Sequence, residues 1–129
     1  MVIHRDLRVL GYYGLAPTSI EPEGLPRSIR TGQPPHPIPC LLLGQLAVDQ
    51  SVVGQGLGTR LLNHALARAL AAAKLIGGRA LLVNAVDDEA AAFWRHSGFD
   101  PIPENPLKLF CRMDEIQTMV DEAASLVGP

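Results

Sequence analysis

The longest regular pattern of hydrophobic residues in the chain lies between residues 57 and 76 and has the spacing of a helix. Apolar side chains recur there every three or four positions, and polar side chains such as Arg60, Asn63 and Arg68 stand between them. The apolar stretch 41–49 precedes this segment and has the length of a strand that is covered on both faces. The pattern therefore predicts a buried strand, a short connection and a long amphipathic helix. The apolar positions of the helix are Leu57, Leu61, Leu62, Ala65, Leu66, Ala69, Leu70 and Ala73.

A glycine-rich turn joins the predicted strand to the predicted helix. It reads Gly54-Gln55-Gly56-Leu57-Gly58. Because alternate positions carry no side chain, the backbone N–H groups at the helix start can close on an anion. The turn has neither the Lys-Ser/Thr ending of a P-loop nor the glycine spacing of the dinucleotide-binding fingerprint. On these residues alone, a phosphate-binding turn and a tight turn without a ligand both stay open.

The segments before this unit predict a hairpin and a loop. Residues 1–5 and 8–16 have strand patterns and are separated by a tight turn. Residues 17–39 hold seven of the eleven prolines, and this composition predicts an extended loop.

The segments after it alternate between strands and helices. A buried strand is predicted at 79–86, followed by a helix whose acidic start at 87–89 and glycine end at Gly98 suit the helix dipole and the C-cap. Three prolines then predict an irregular segment, before a strand at 107–113 and an amphipathic helix at 114–126. The order β-β-β-α-β-α-β plus a C-terminal helix predicts a single α/β domain on a mixed sheet over residues 1–129.

Composition narrows the class of protein without naming a function. The chain is 47% hydrophobic with a formal net charge of −2, so the whole molecule carries no positive field for nucleic acid, although a local basic patch is compatible with it. Cys40 and Cys111 lie in apolar runs without metal-ligand spacing, which indicates buried thiols in a reducing compartment. Polar residues interrupt the longest apolar helix, and Arg8 interrupts the only stretch that is similar to a signal peptide. We therefore expect a cytoplasmic protein with no transmembrane segment and no metal site.

Three motifs together resemble the GNAT superfamily of N-acetyltransferases. They are Gln45-Leu46-Ala47-Val48-Asp49, the glycine turn, and Asp87-x-x-Ala90-x-x-Phe93-Trp94-x-x-x-Gly98-Phe99. The resemblance implies a GNAT-like fold and acetyl-CoA as cosubstrate. In that family the central strand is splayed from its neighbour and pairs with pantetheine, and the glycine turn binds the pyrophosphate.

The resemblance also implies roles for individual residues. A backbone N–H near Val48 would hold the oxyanion during direct transfer to an amine, and Trp94 stands where the family places the residue that protonates the leaving thiolate. Asn84 ends a strand that would face the cofactor groove. The expected cofactor-binding residues are Leu46, Ala47, Val48, Val53, Gly54, Gln55, Gly56, Leu57, Gly58, Thr59, Asn84, Asp87 and Phe93.

A narrower resemblance points to one branch of the family. The residues that carry it are Gly11-Tyr12-Tyr13-Gly14-Leu15-Ala16, the Pro-Ile-Pro at 37–39 that leads into the central strand, and Asp87-Asp88-Glu89-Ala90. They are similar to those of tRNA-acetylating toxins, bacterial enzymes that acetylate the α-amine of the amino acid on a charged tRNA. The resemblance implies aminoacyl-tRNA as acceptor and a ribbon-helix-helix antitoxin as partner.

Three departures from the family pattern affect the expected activity. Val53 replaces the usual Gln or Arg that opens the glycine motif, although the backbone N–H groups of the turn are kept. Trp94 replaces the usual tyrosine, and an indole N–H is a donor that cannot act as a general acid near neutral pH. Two other roles for Trp94 remain: its indole N–H could donate a hydrogen bond to the sulfur of CoA, or its ring could simply pack in the core. The sequence also starts where the family's second strand would stand, which predicts an exposed edge at residues 1–5 and a homo-oligomer.

Three classes of function therefore remain from the sequence. The first is an N-acetyltransferase whose activity is impaired by Trp94. The second is a catalytically silent acetyl-CoA-binding module or toxin remnant. The third is an interaction protein that assembles through the helix at 114–126 or through the open sheet edge. The four histidines, including His64, are interpreted as surface residues and not as catalytic bases.

Overall fold

The computed structural model describes residues 2–5, 8–20, 37–48 and 57–127, and its elements follow the predicted alternation of strands and helices. A helix near the middle of the chain connects two parallel strands, and two more helices follow. The elements are β1 Val2–Arg5, β2 Arg8–Ile20, β3 Ile38–Val48, α1 Leu57–Ile76, β4 Ala80–Asn84, α2 Asp88–His96, β5 Asp100–Ile102, β6 Asn105–Arg112 and α3 Met113–Val127.

The six described strands form one mixed sheet in the order β1-β2-β3-β4-β6-β5. β3 and β4 are parallel, since α1 returns the chain to the same end of the sheet. The other neighbours are antiparallel, including β2 with β3 and β4 with β6. The predicted α/β class on a mixed sheet is therefore confirmed.

The three helices of the described residues pack on one face of this sheet. The larger apolar cluster joins Leu61 and Ala65 of α1, Trp94 of α2 and Ile116 of α3 to alternate strand residues such as Leu81. A smaller cluster on the opposite face is built from strand residues alone. Its buried members are Ile38, Cys40, Ala80, Leu82, Ile102 and Phe110.

The two cysteines are buried free thiols, as the sequence indicates, and they belong to clusters on opposite faces of the sheet. Burial raises the pKa of both thiols. The pKa of Cys111 reaches about 12, because burial and the neighbouring Glu115 carboxylate both disfavour the thiolate. Neither thiol therefore has the low pKa of a nucleophile.

Two predictions of irregular structure are wrong in part, because prolines stand in strands where a ladder hydrogen bond is not required. β2 continues through Pro17 to Ile20, and β3 begins at Ile38, so the predicted loop is too long at both ends. β1 pairs only with residues 8–12, so at Pro17 the described β2 has a strand neighbour on one side only. Pro101 lies in β5, which is an edge strand. A proline on an edge strand removes no sheet hydrogen bond where its nitrogen faces away from the neighbouring strand.

No helix among the described residues is long and apolar enough to cross a membrane. The same described ranges contain no group of three or more His, Cys, Asp or Glu side chains arranged to hold a metal ion.

Candidate active site

The sheet opens between β3 and β4. These strands pair only where Leu41–Leu43 faces Leu81–Val83, although β3 continues to Val48. Beyond that point β3 is paired with β2, while the chain after β4 turns toward β6, where the Ala85 N–H donates to the Leu107 carbonyl at 2.7 Å. Within the described residues, the β4-facing backbone of residues 44–48 thus has no strand partner. Such an edge presents N–H and C=O groups to a ligand.

A β-bulge lies at the start of this open edge. On β2, Tyr12 and Gly14 are two residues apart, whereas their partners on β3, Ala47 and Gly44, are three residues apart. β3 therefore carries one extra residue between Gly44 and Ala47, which bends the strand and redirects its backbone groups. The predicted contacts Leu46, Ala47 and Val48 all lie in or just after the bulge, and the side chain of Leu46 is half-buried.

The N-terminus of α1 is free of acidic side chains. α1 begins at Leu57 and has no Asp or Glu in its first turn, so its unpaired N–H groups and its dipole favour an anion. Three predicted contacts, Leu57, Gly58 and Thr59, lie in this turn, and Thr59 is exposed. The predicted contacts Val53, Gly54, Gln55 and Gly56 lie outside the described residues.

The N-terminus of α2 is capped by its own chain. Asp87 has an extended backbone, and its Oδ1 accepts the N–H of Ala90 at 2.8 Å. Asp88 and Glu89 add negative charge to the first turn. One oxygen of Asp87 is thus engaged in the cap, and its predicted contact with the cofactor stays a prediction.

The C-terminus of α2 ends in a Schellman motif. Gly98 has φ +103°, its N–H donates to the Arg95 carbonyl at 3.1 Å, and the Phe99 N–H donates to the Trp94 carbonyl at 3.0 Å. The rings of Trp94 and Phe99 meet edge to face with centroids 5.1 Å apart, which is the apolar contact that accompanies this motif. The predicted end of the helix at Gly98 is therefore confirmed.

The neighbours Phe93 and Trp94 have different surroundings. Trp94 is 7% exposed and belongs to the main core, where its ring also contacts that of Phe93 at 5.1 Å. Phe93 is 44% exposed and lines an open groove of about 420 Å³ between the three helices. The groove brings together the predicted contacts Thr59 and Phe93. Its other lining residues are Leu62, Asn63, Leu66, His96, Ser97, Met119, Glu122 and Ala123.

A contact that the sequence does not reveal fixes α1 on β2. The buried Tyr13 hydroxyl and Nδ1 of His64 lie 2.5 Å apart in a hydrogen bond, and the two rings are 5.8 Å apart. Burial raises the pKa of Tyr13, and the positive charge of Arg68 opposes that effect in part. The interpretation of His64 as a surface residue is wrong, because its ring is half-buried. The two residues are 51 positions apart, and no local pattern indicates their pairing.

The remaining predicted contact, Asn84, is exposed at the end of β4, across the opening from residues 44–48.

The fold and site thus define an α/β domain that can bind an extended, anionic ligand between two splayed parallel strands. Residues 1–101 match the acetyltransferase (GNAT) domain family. The chain belongs to this family, and the predicted acetyltransferase class and GNAT-like fold are confirmed.

Known relatives are found among bacterial toxins. A tRNA-acetylating toxin of Mycobacterium tuberculosis is 42% identical over 118 residues, which are 92% of this chain and 70% of that protein. A probable toxin TacT of Sinorhizobium fredii is 29% identical over 120 residues, or 87% of this chain and 66% of that protein. The chain is thus similar to about two thirds of the length of these relatives.

Solved structures agree with this grouping. A crystal structure of a KacT mutant, in which a tyrosine is replaced by phenylalanine, has a TM-score of 0.81 and 34% identity, and the match covers 92% of this chain and 71% of that one. AtaT complexed with acetyl-methionyl-tRNAfMet has a TM-score of 0.76 and 35% identity, with 86% and 66% covered. The resemblance to tRNA-acetylating toxins is therefore confirmed, while the roles of single residues stay predictions.

Proposed function

We propose that the chain transfers an acetyl group from acetyl-CoA directly to the α-amine of an amino acid carried on tRNA. The observation that supports this most is the backbone edge at residues 44–48, which has no strand partner among the described residues and contains the β3 bulge. The helix that follows it in the chain, α1, has no acidic residue in its first turn. A cytoplasmic location, where charged tRNA occurs, is part of the proposal.

The described residues fit acetyl-CoA in two respects. An extended chain with amide groups, such as pantetheine, can add to an open strand edge as a further strand does. The first turn of α1, at Gly58 and Thr59, suits the pyrophosphate because helix N–H groups and the dipole favour anions. Phe93 offers an exposed aromatic surface beside that turn. A solved relative, AtaTR bound with acetyl-CoA, has a TM-score of 0.73 to this chain.

The proposed reaction forms a C–N bond and breaks a C–S bond. Acetyl-CoA supplies the acetyl group as a thioester. A backbone N–H near Val48 would stabilise the negative charge that develops on the carbonyl oxygen. The amine loses one proton, and the departing thiolate gains one. Trp94 is not the donor of that proton, because an indole N–H is too weak an acid near neutral pH. Water would then protonate the thiolate, which makes slow transfer the expectation.

Aminoacyl-tRNA is the acceptor that the relatives favour. The Mycobacterium tuberculosis relative is a tRNA-acetylating toxin, and AtaT is solved with an acetylated methionyl-tRNA. AtaT is also solved with the C-terminus of the antitoxin AtaR, so we include a ribbon-helix-helix antitoxin as partner in the proposal. Homo-oligomerisation near β1 stays a prediction that light scattering can test.

Calorimetry with acetyl-CoA tests the first step. Gly56→Asp should abolish binding, because it adds bulk and negative charge to the glycine motif whose backbone N–H groups would bind the pyrophosphate in this proposal. Gln55→Ala is the matched control and should bind as the wild type does. Absence of acetyl-CoA binding to folded wild-type protein would contradict the proposal.

Transfer of labelled acetyl groups to aminoacyl-tRNA tests the second step. The alternative function, a silent acetyl-CoA-binding module, is favoured by one observation, the packing of Trp94 into the core. Cofactor binding without transfer to any aminoacyl-tRNA, in both the wild type and Trp94→Tyr, would establish that alternative.

A further inference from the structure

A second concave site lies on the face of the sheet opposite the described helices α1, α2 and α3. It is an open depression of about 190 Å³ over β2 and β3. Tyr13 and Leu15 of β2 belong to the helix-side cluster, and Leu42 of β3 belongs to the opposite one, so alternation places Gly14, Ala16 and Gly44 on the face with Leu42. The lining residues are Gly14, Leu15, Ala16, Leu42 and Gly44.

Two glycines that face each other across the strands make this depression. Gly14 and Gly44 are direct partners in the β2–β3 ladder. A Cβ on Gly44 would meet no atom within 4 Å, and a Cβ on Gly14 would meet only the Gly44 carbonyl oxygen, at 3.9 Å. Neither has the positive φ of Gly77 and Gly98. Neither backbone conformation nor crowding therefore requires glycine at these positions.

Glycine inside a strand lowers the stability of the strand, so its presence at both positions needs another explanation. It destabilises a strand by about 0.5–1 kcal/mol relative to alanine. Interior strand glycines often mark a bulge or a place where a ligand approaches the backbone closely. The extra residue of the bulge is on β3 directly after Gly44, so the bulge accounts for Gly44, whereas Gly14 on β2 leaves ligand approach as the reason. The open space above both residues agrees with this reason.

The position of the depression connects it to the proposed reaction. Gly44 directly follows Leu43, the last residue of β3 that pairs with β4, and directly precedes the bulge. The proposed donor site lies on the helix side, at the start of α1 and at Phe93. An acceptor amine must then reach the opening from the other face, because the donor occupies the helix side. A side chain next to that amine would lie over Gly14 and Gly44.

We infer that this depression is the subsite for the side chain of the acceptor amino acid, and that it selects apolar side chains. Its described lining residues carry no charge, so they offer contact and burial only. The inference rests on the proposed function, since it takes an aminoacyl acceptor as given. It adds a specificity determinant to that function.

Acetyl transfer to a series of aminoacyl-tRNAs tests the subsite by activity. Gly14→Val fills the depression from β2, which lies outside the cofactor edge, and its Cβ makes no close contact. The expected result is a roughly 10- to 100-fold lower kcat/KM for methionyl-tRNA, with glycyl-tRNA unchanged, within the range that apolar pockets discriminate. Thr18→Val, on the same strand and face but outside the depression, is the control and should leave both substrates unchanged. Equal effects of Gly14→Val on both substrates would overturn the inference.

Binding of product analogues tests the subsite without activity. The chain has 12 glycines, so selective ¹⁵N-glycine labelling gives few amide resonances, and the Gly14 signal is assigned by its loss in Gly14→Val. N-acetyl-L-methioninamide should shift the Gly14 resonance saturably, and N-acetylglycinamide should not. A shift without any acetyl transfer would refute the proposed function and keep the subsite. A Gly14 signal that stays in place up to the solubility limit would refute the subsite, even if transfer is observed.

Discussion

Substitution of Gly98 is the most direct test of what stabilises the C-terminus of α2 and its packing against α3. The residue combines φ +103° with a tight surrounding, because a Cβ there would come within 2.5 Å of Cε of Met119 on α3. Gly98→Ala therefore meets two separate penalties. A non-glycine residue in a left-handed conformation costs about 1–2 kcal/mol. Cε is the end of a flexible, half-buried side chain that lines the open groove and can move aside, so the steric penalty adds only up to about 1 kcal/mol, the lower end of overpacking costs. We expect the free energy of unfolding to fall by roughly 1–3 kcal/mol in total.

A second glycine separates the two penalties. Gly77 ends α1 with φ +72°, and a Cβ there would meet no atom within 4 Å. Gly77→Ala should therefore show the conformational penalty alone, about 1–2 kcal/mol. In a Met119→Ala background the contact is gone, so Gly98→Ala should cost about as much as Gly77→Ala. The non-additivity of the two substitutions measures the steric contact between them.

Urea denaturation followed by circular dichroism gives these free energies, with the slope against denaturant as a check for two-state behaviour. Equal losses for Gly98→Ala and Gly77→Ala in the wild-type background would refute the steric part of the argument. A loss below about 0.5 kcal/mol for both would refute the conformational part as well.

Three further predictions follow from the same region and from the core. Trp94→Tyr should raise the acetyl-transfer rate roughly 10- to 100-fold if proton donation to the thiolate limits it, and equal rates from pH 6 to 9 would show that residue 94 only packs. Asp87→Ala should lower the free energy of unfolding by about 1 kcal/mol through loss of the α2 N-cap, while Asp87→Asn should keep most of it; equal losses would contradict the capping role. Because burial raises the pKa of the Cys111 thiol to about 12 from its ordinary value of 9.0, its contribution to stability is complete below pH 9 and is lost as pH rises toward 12, at up to about 1.4 kcal/mol per pH unit. Cys111→Val should flatten that decline in urea titrations, and an unchanged pH dependence would count against the raised pKa.

The helices whose formation depends on residues close together in the chain can be predicted from the sequence. The amphipathic period of residues 57–76 predicts α1, and the acidic start and glycine end of α2 predict its limits, because both signals act over one or two helical turns. The strand–glycine–helix order is compatible with an anion site, and together with the motif around Phe93 it suffices to indicate the GNAT family. These are local effects, so local residues determine them.

The tertiary structure decides what depends on register and on partners far away in the chain. The bulge in β3 and the opening after Leu43 are differences in pairing with β2 and β4, and no pattern within β3 specifies either of them. The same holds for the hydrogen bond between Tyr13 and His64, and for Pro17 in a strand that has one described neighbour there. Even the depression at Gly14 and Gly44 exists because two isolated glycines, 30 positions apart, become partners in the ladder. The side chains determine which segments can form strands. The pairing of the strands in the sheet determines which residues come into contact, because it joins residues that are far apart in the chain.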